Sequence, residues 1–516
     1  MKHSDDLFHL IKSLKQQEKK YFKQFVSRYA KADDGEKFYV KLFDAVNKQK
    51  EYNEAALRKL LSADKSFSRH FRFIKHYLYQ LIMKSLRLYH AESAVDSGLK
   101  DLLHNATLLY EKDLFTQVKK VLLRAKKTAT KHEKFLQLLE ILDWEKKLLL
   151  TQGFIQKSEN TIEDIKKEEK SVLTKLTIEQ SYRSVRTTFF KHFSINDMAR
   201  SRKEAQAYKS IIDNSLLSYN SKALSYNAKH DFYYTKALYY YAIGDSINSY
   251  VYHKKLVDFL ETHPGMLYQH PTDYIAALGN YYITCLWVNK YKECLHVIKK
   301  MRAAPASSVK MQILIFRGSY SRELNFYITT GEFHNGVRLV PEIEKGIRLY
   351  EGKIPHQTIA TFYFDIAYTY FGSEDYSRSI VWLNKILNDT VLQESRTDVF
   401  CFSQILNLIV HYELENMDLL EYIVKSTYRF LYKRKRLYKF ENSILNFIRI
   451  KLPAIINNKV LINAFNELKA ELVEITSDPF EKKALEYFDF ISWLESKIEN
   501  RSFAEVVKEK TQKITV

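Results

Sequence analysis

Residues 362–387 read "FYFDIAYTYFGSEDYSRSIVWLNKIL", and the fold turns on how that stretch is punctuated. Tyr363, Ala367 and Tyr370 recur at three- and four-residue steps, the spacing that lines one face of a helix. A small and acidic break follows, then Tyr376 opens a second helix lined by Leu383 and Ile386. The small residue on the first helix admits its neighbour, and aromatic rings fill the space between one pair and the next. The stretch therefore predicts a helical hairpin.

The same layout returns in "LNFYITTGEFHNGVRLVPEI", "YYITCLWVNKYKECLHVIKK" and "KALYYYAIGDSINSYVYHKKL". Taking the first residue of the second helix as an anchor gives Ser246, Tyr291, Phe333 and Tyr376, which lie 45, 42 and 43 residues apart. Upstream, "LLYEKDLFTQVKKVLLRAKK" and "LLLTQGFIQKSENTIEDI" add Phe115 and Phe154, 39 residues apart. The gap from Phe154 to Ser246 has room for one more pair near "FSINDMARSRKEAQAY", and the next step beyond Tyr376 lands in "HYELENMDLLEYIVK". A fixed period of this kind predicts an α-solenoid.

Within a unit the pattern resembles the tetratricopeptide repeat, with a glycine-acid turn at Gly244-Asp245 and Gly331-Glu332. The period of 39 to 45 exceeds the usual 34 of that repeat, so the helices are expected to be longer. The whole chain also resembles a bacterial family of large, tyrosine- and lysine-rich tetratricopeptide-like (TPR-like) proteins without an established activity. The segments "EKKYFKQF", "LLEILDWEKKLLL" and "YRFLYKRKRLYKFE" carry that likeness. It implies a fold and a compartment and supplies no mechanism.

Composition agrees with an all-α reading. The 516 residues are 46% hydrophobic, yet hold only 12 glycines and 7 prolines, too few turn formers for a sheet-rich chain of this size. The expected organisation is a helical N-terminal module over 1–92, a TPR-like array over 93–435 and a C-terminal helical cap over 436–516. Asn53 is expected to cap a helix, and Phe67, Phe71, Ile74, Leu78, Leu81 and Leu88 to form the apolar face of the module's long fourth helix. Three cysteines leave one unpaired under any pairing, which points to a reducing compartment. The opening "MKHSDDLFHLIKSLKQQEKK" has Asp5 and Asp6 where a signal peptide would be positive, and the longest apolar run, "VFCFSQILNLIV", is too short to span a bilayer. A cytoplasmic chain without membrane insertion is expected.

Catalytic and cofactor motifs are not found. "GIRLYEGKI", Gly346 to Ile354, has five residues between its glycines and Ile354 where a phosphate-binding loop needs Ser or Thr. Cys285 and Cys294 are nine apart, unlike zinc ligands, and fit small packing positions. "RGSYS" around Ser319 lacks the frame of a nucleophile elbow. The peptide-carboxylate clamp that the tetratricopeptide resemblance would imply needs Lys and Asn one turn apart; of the equivalent positions only Asn325 fits. The reading is a non-catalytic chain with no cofactor and no metal.

Charge is the informative remainder. A formal net charge of +20 raises association with polyanions. In the N-terminal module Arg69, Arg72, His76, Lys84 and Arg87 form a stripe at helical steps. Farther on, Lys425 to Pro453 carries nine Lys or Arg against one acid, Glu441. Within it Arg429, Lys433, Arg434, Lys435, Arg436 and Lys439 form a cationic ridge, while Phe430, Leu431, Leu437 and Phe440 are expected to pack inward. About five phosphate contacts there would give a log–log salt slope of roughly −4 to −5. These residues predict a scaffold or adaptor that docks a protein partner with an acidic surface, or RNA, DNA or a ribosome; oligomeric state is left open.

Overall fold

A computed structural model describes residues 5–29, 35–60, 65–90, 95–151, 162–196, 198–199, 201–213, 217, 223–267, 271–306, 308–433, 437–455, 457–478 and 481–515. Among the described residues there are 26 α-helices and no strand. None of these helices is long and apolar enough to cross a membrane. The chain divides into two compact units, residues 1–177 and 178–516.

The first unit opens with helices Asp6–Ser13, Gln16–Tyr29, Gly35–Lys48, Glu54–Leu60 and Lys65–Tyr89. They close around Ile11, Phe22, Leu42, Phe43, Leu78 and Ile82, all essentially fully buried. Asn53 caps its helix as its side chain predicts, Oδ1 accepting from the Ala56 N–H at 2.9 Å. On Lys65–Tyr89, Phe71 and Leu78 are buried as expected, whereas Leu88 is 46% exposed. Ile82 and Ser85 take the inward positions of the helix's last turns instead, because Ile82 and Ser85 continue the three- and four-residue steps from Phe71 and Leu78. A second cluster joins Val95–Tyr110, Phe115–Lys131, Phe135–Leu149 and the start of Ile162–Asn196 through Leu99, Ala106, Leu122, Ala125, Ile141 and Leu142.

In the second unit helices follow one another in packed pairs: Tyr226–Ala242 with Ser246–Glu261, Pro271–Trp287 with Tyr291–Ala303, Val309–Thr329 with Phe333–Leu349, His356–Gly372 with Tyr376–Leu387, and Thr397–Glu413 with Met417–Lys433. The second helices begin at Ser246, Tyr291, Phe333 and Tyr376, the four anchors read from the sequence, and then at Met417. Phe115 likewise opens a helix, while Phe154 lies outside the described residues. The text near 193–208 forms the end of Ile162–Asn196 and the helix Arg202–Ile212, where the rings of Tyr208 and Phe189 meet at 5.3 Å.

One turn recurs between helices. Two residues before a helix start, the backbone enters the left-handed region at Asp113, Glu133, Gly244, Asn289, Gly331, Glu374 and Glu415. The next N–H then bonds the carbonyl five residues back: Leu114 to Leu109, Lys134 to Ala129, Asp245 to Tyr240, Lys290 to Cys285, Glu332 to Tyr327, Asp375 to Tyr370 and Asn416 to His411, at 2.8–3.0 Å. This is the Schellman closure, which satisfies a carbonyl that the ending helix leaves open. Only two of the seven positions are glycine; the other residues adopt a conformation that disfavours L side chains by about 1–2 kcal/mol. Gly331 has a second reason to be glycine: a Cβ there would lie 2.9 Å from Ala504 O and Lys508 N.

That contact belongs to the end of the chain. Helices Asn458–Ile475, Phe490–Glu499 and Phe503–Thr515 share one core with the residue 309–433 pairs. Phe503 stacks on Phe333 at 5.5 Å, and Phe488 meets Tyr368 at 4.9 Å. Trp493 Nε1 donates to Glu413 at 2.6 Å, and the Tyr487 hydroxyl donates to Asp398 at 2.6 Å. Cys285 and Cys294 are fully buried, in the packing positions expected of them, and neither is in a disulfide.

Candidate macromolecular docking site

The described residues of the cationic ridge lie in the second unit, on Met417–Lys433 and Lys439–Asn446, which together form one corner. Thr397–Glu413 is an interior helix, buried over nearly its whole run from Val399 to His411. Met417–Lys433 lies against it through Leu420, Val424, Thr427 and Leu431. With that face turned inward, three- and four-residue steps put Tyr422, Lys425, Arg429, Tyr432 and Lys433 on the outside. Tyr422 is 74% exposed and Tyr432 is 70% exposed. Of the residues expected to pack inward, Leu431 and Phe440 are fully buried, and Phe430 and Leu437 are half-buried against the same core.

Arg429, Lys433 and Lys439 are exposed, and none of the three makes an ion pair with a described residue. Lys425 is held by Glu421 at 2.5 Å. Arg434, Lys435 and Arg436 lie outside the described residues. The described chain resumes at Leu437, and Tyr438, 52% exposed, takes the N-cap position of the helix Lys439–Asn446. Two carboxylates sit on that helix's N-terminus. Glu441 accepts from the Tyr438 N–H at 3.1 Å, and Glu481 accepts from the N–H groups of Lys439 at 3.2 Å and Phe440 at 3.0 Å. The positive end of the helix dipole suits them. Burial nevertheless dominates at Glu441, pushing its carboxyl up to about 7, with backbone hydrogen bonds opposing and the nearby Glu481 adding to the rise.

The helix continues into a π-turn, Phe447–Lys451, a wider coil that often marks a functional position. Arg449 is exposed there, bonds Asn446 Oδ1 at 3.2 Å and lies 5.2 Å from the ring centroid of Tyr428. The rings of Tyr428 and Tyr432 are parallel to within 7°, with centroids 6.3 Å apart. Lys451 pairs with Glu467 at 3.1 Å. A 420 Å³ cleft beside this turn is lined by Lys439, Asn442, Asn446, Ile450, Lys451 and Glu471, among others. The corner is thus a cationic surface set with exposed rings.

The remaining expected site residues belong to the first unit. Arg72, Lys84 and Arg87 are exposed on Lys65–Tyr89, and the side chain of Arg69 lies outside the described residues. The same unit holds a lysine cluster that the stripe reading passed over. Lys12 Nζ donates to the Asn47 carbonyl and Lys19 Nζ to Asn47 Oδ1, each at 2.7 Å, while Lys23 pairs with Asp44 at 2.7 Å. Burial, then the charge of Lys12, lowers the Lys19 ammonium below its ordinary range. Lys12 and Lys19 converge on the C-terminal end of Gly35–Lys48, where cations favour the helix dipole.

At the corner, sequence reading counted Arg449 among the nine cations without giving it a role, and missed the outward tyrosines. The tyrosines had a signal: Tyr422, Lys425, Arg429 and Tyr432 stand at helical steps out of phase with Leu420, Val424 and Leu431. For Arg449 only the density of cations was visible, since its position over Tyr428 depends on the π-turn. Among the described residues no group of three or more His, Cys, Asp or Glu converges as metal ligands would. The chain matches no family model and no curated protein.

Proposed function

We propose that the chain is a non-catalytic adaptor: an α-solenoid of TPR-like hairpins, akin to the bacterial TPR-like family it resembles, that docks an acidic macromolecular surface on the corner built by Met417–Lys433 and Lys439–Asn446. The architecture is supported by the repeated Schellman turn and the regular second-helix starts, which make each pair a copy of the last. One observation carries the docking site: Arg429, Lys433 and Lys439 stand in solvent without an ion-pair partner among the described residues. Surface charges of a self-contained helix intersperse signs, because like charges one turn apart repel.

The full chain tests this on immobilised heparin at graded salt. The R429E/K433E/K439E variant should lose retention, its log–log salt slope shallower by about three, with stability within about 0.5 kcal/mol of the parent. A parent that does not bind, or a variant retained equally well, overturns the proposal.

A further inference from the structure

The corner carries more than charge. Cations suffice to meet an acidic surface; exposed rings beside them add a second kind of contact, the stacking of a flat partner on the ring face. Tyr422 and Tyr432 are nonetheless more than two-thirds exposed on the same helix stripe as Arg429 and Lys433. Elsewhere in this unit tyrosines are drawn into seams: Tyr208 and Tyr282 are almost fully buried, and Tyr281 and Tyr274 bond Glu293 and Glu261. The outer tyrosines have no such partner, and none of their hydroxyls is tied to a described residue in the same way.

We propose that this stripe is a stacking platform for single-stranded nucleic acid, with Tyr422 and Tyr432 as base-stacking rings and Arg429, Lys433 and Arg449 as phosphate contacts. The inference rests on the reading of the corner as a docking site for polyanions, and names the polyanion. Tyr422 and Tyr432 are ten residues apart, about 15 Å along the helix, with cations between and beside them. A single strand offers the matching pattern, phosphates alternating with unpaired base faces. A duplex offers phosphates but keeps its base faces stacked on one another. The parallel rings of Tyr428 and Tyr432 turn their faces the same way, and Arg449 beside Tyr428 places a guanidinium next to that pair. A membrane is a poor match, since the apolar side of this helix is spent on the core through Leu420, Val424 and Leu431.

The test uses the full chain, a fluorescein-labelled 20-nucleotide RNA of mixed sequence, the same strand annealed to its complement, and poly-glutamate as a competitor. Fluorescence anisotropy should show the single strand bound more tightly than the duplex and displaced poorly by poly-glutamate. Y422A and Y432A should each weaken single-strand binding about tenfold while leaving duplex binding nearly unchanged. Y422F and Y432F should bind as the parent does. Because an alanine variant could misfold, the parent is also titrated with RNA carrying 2-aminopurine, whose fluorescence should fall as its base stacks. Equal affinity for both forms, full displacement by poly-glutamate, or unchanged 2-aminopurine emission overturns the stacking platform while leaving the polyanion site standing. Absence of binding to RNA, duplex and heparin alike overturns both.

Discussion

Two helices of this chain look alike as text and differ in what the fold does with their charge. Lys65–Tyr89 and Met417–Lys433 are both amphipathic, both bury an apolar face, and both turn cations outward. The first also carries a mostly buried cation tied into its module: Lys75 lies between the Tyr52 hydroxyl at 2.6 Å and Glu54 at 3.0 Å, and Arg58 holds the same carboxylate at 2.9 Å. The second leaves Arg429 and Lys433 without an ion pair among the described residues. Equal basic character in the text thus hides a difference in which cations the tertiary structure supplies with a counter-charge.

The largest effect is expected at Glu54. Burial alone would raise its carboxyl, but hydrogen bonds from Lys75, Arg58 and Tyr52 outweigh burial and hold it at about 2. Glu54→Ala would strand a mostly buried Lys75 and should cost about 3 kcal/mol in denaturant unfolding of the first unit's transition. In the parent, the stabilisation from Glu54 is present above the ordinary carboxylate value of 4.5 and is lost as pH falls toward about 2. Unfolding midpoints unchanged by the substitution at neutral pH would show that the network contributes nothing.

A smaller effect is expected at Glu441, on the same helix as Lys439. Its carboxyl titrates near 7 in the fold against 4.5 when unfolded, so the unfolded chain releases the proton first. Stability should fall as pH rises from about 4.5 through about 7 and then level off. Glu441→Gln keeps an acceptor for the Tyr438 N–H and removes the buried charge. It should be about 2 kcal/mol more stable than the parent at pH 8 and nearly equal to it at pH 4.5. A parallel pH dependence in parent and variant would locate the effect elsewhere.

The smallest effect sharpens the contrast. R72E/K84E/R87E reverses three cations of the first helix, the same number as the corner variant. On the proposed docking site, it should change heparin retention far less than R429E/K433E/K439E does. Equal losses from both variants would mean that retention follows total charge and not position.

Much of the helical framework was legible. Ser246, Tyr291, Phe333 and Tyr376 mark helix starts in the text because aromatic and small residues recur with the packing they serve. The turns before them were half-hidden. Glycine announces Gly244 and Gly331, but Asn289, Glu374 and Glu415 take the same left-handed conformation without a glycine to reveal it. Their position follows from the 6→1 hydrogen bond, which any residue can close if the helices on either side hold it. At the site, the density of cations was plain, whereas the outward tyrosines are told from core rings only once the inner face of Met417–Lys433 is located.

By itself the sequence determined that this protein is helical, where many of its helices begin, and where positive charge accumulates. Those are local properties, set by three- and four-residue periodicity and by composition. Only the tertiary structure decided which charges are answered. Lys75 finds Glu54 21 residues away, and Lys497 finds Glu413 84 residues away, whereas Arg429 and Lys433 find no such partner among the described residues. It likewise decided that Phe503 stacks on Phe333 while Tyr422 and Tyr432 face solvent. Long-range packing assigns each ring and each charge an inside or an outside, and no window of sequence contains both members of such a contact.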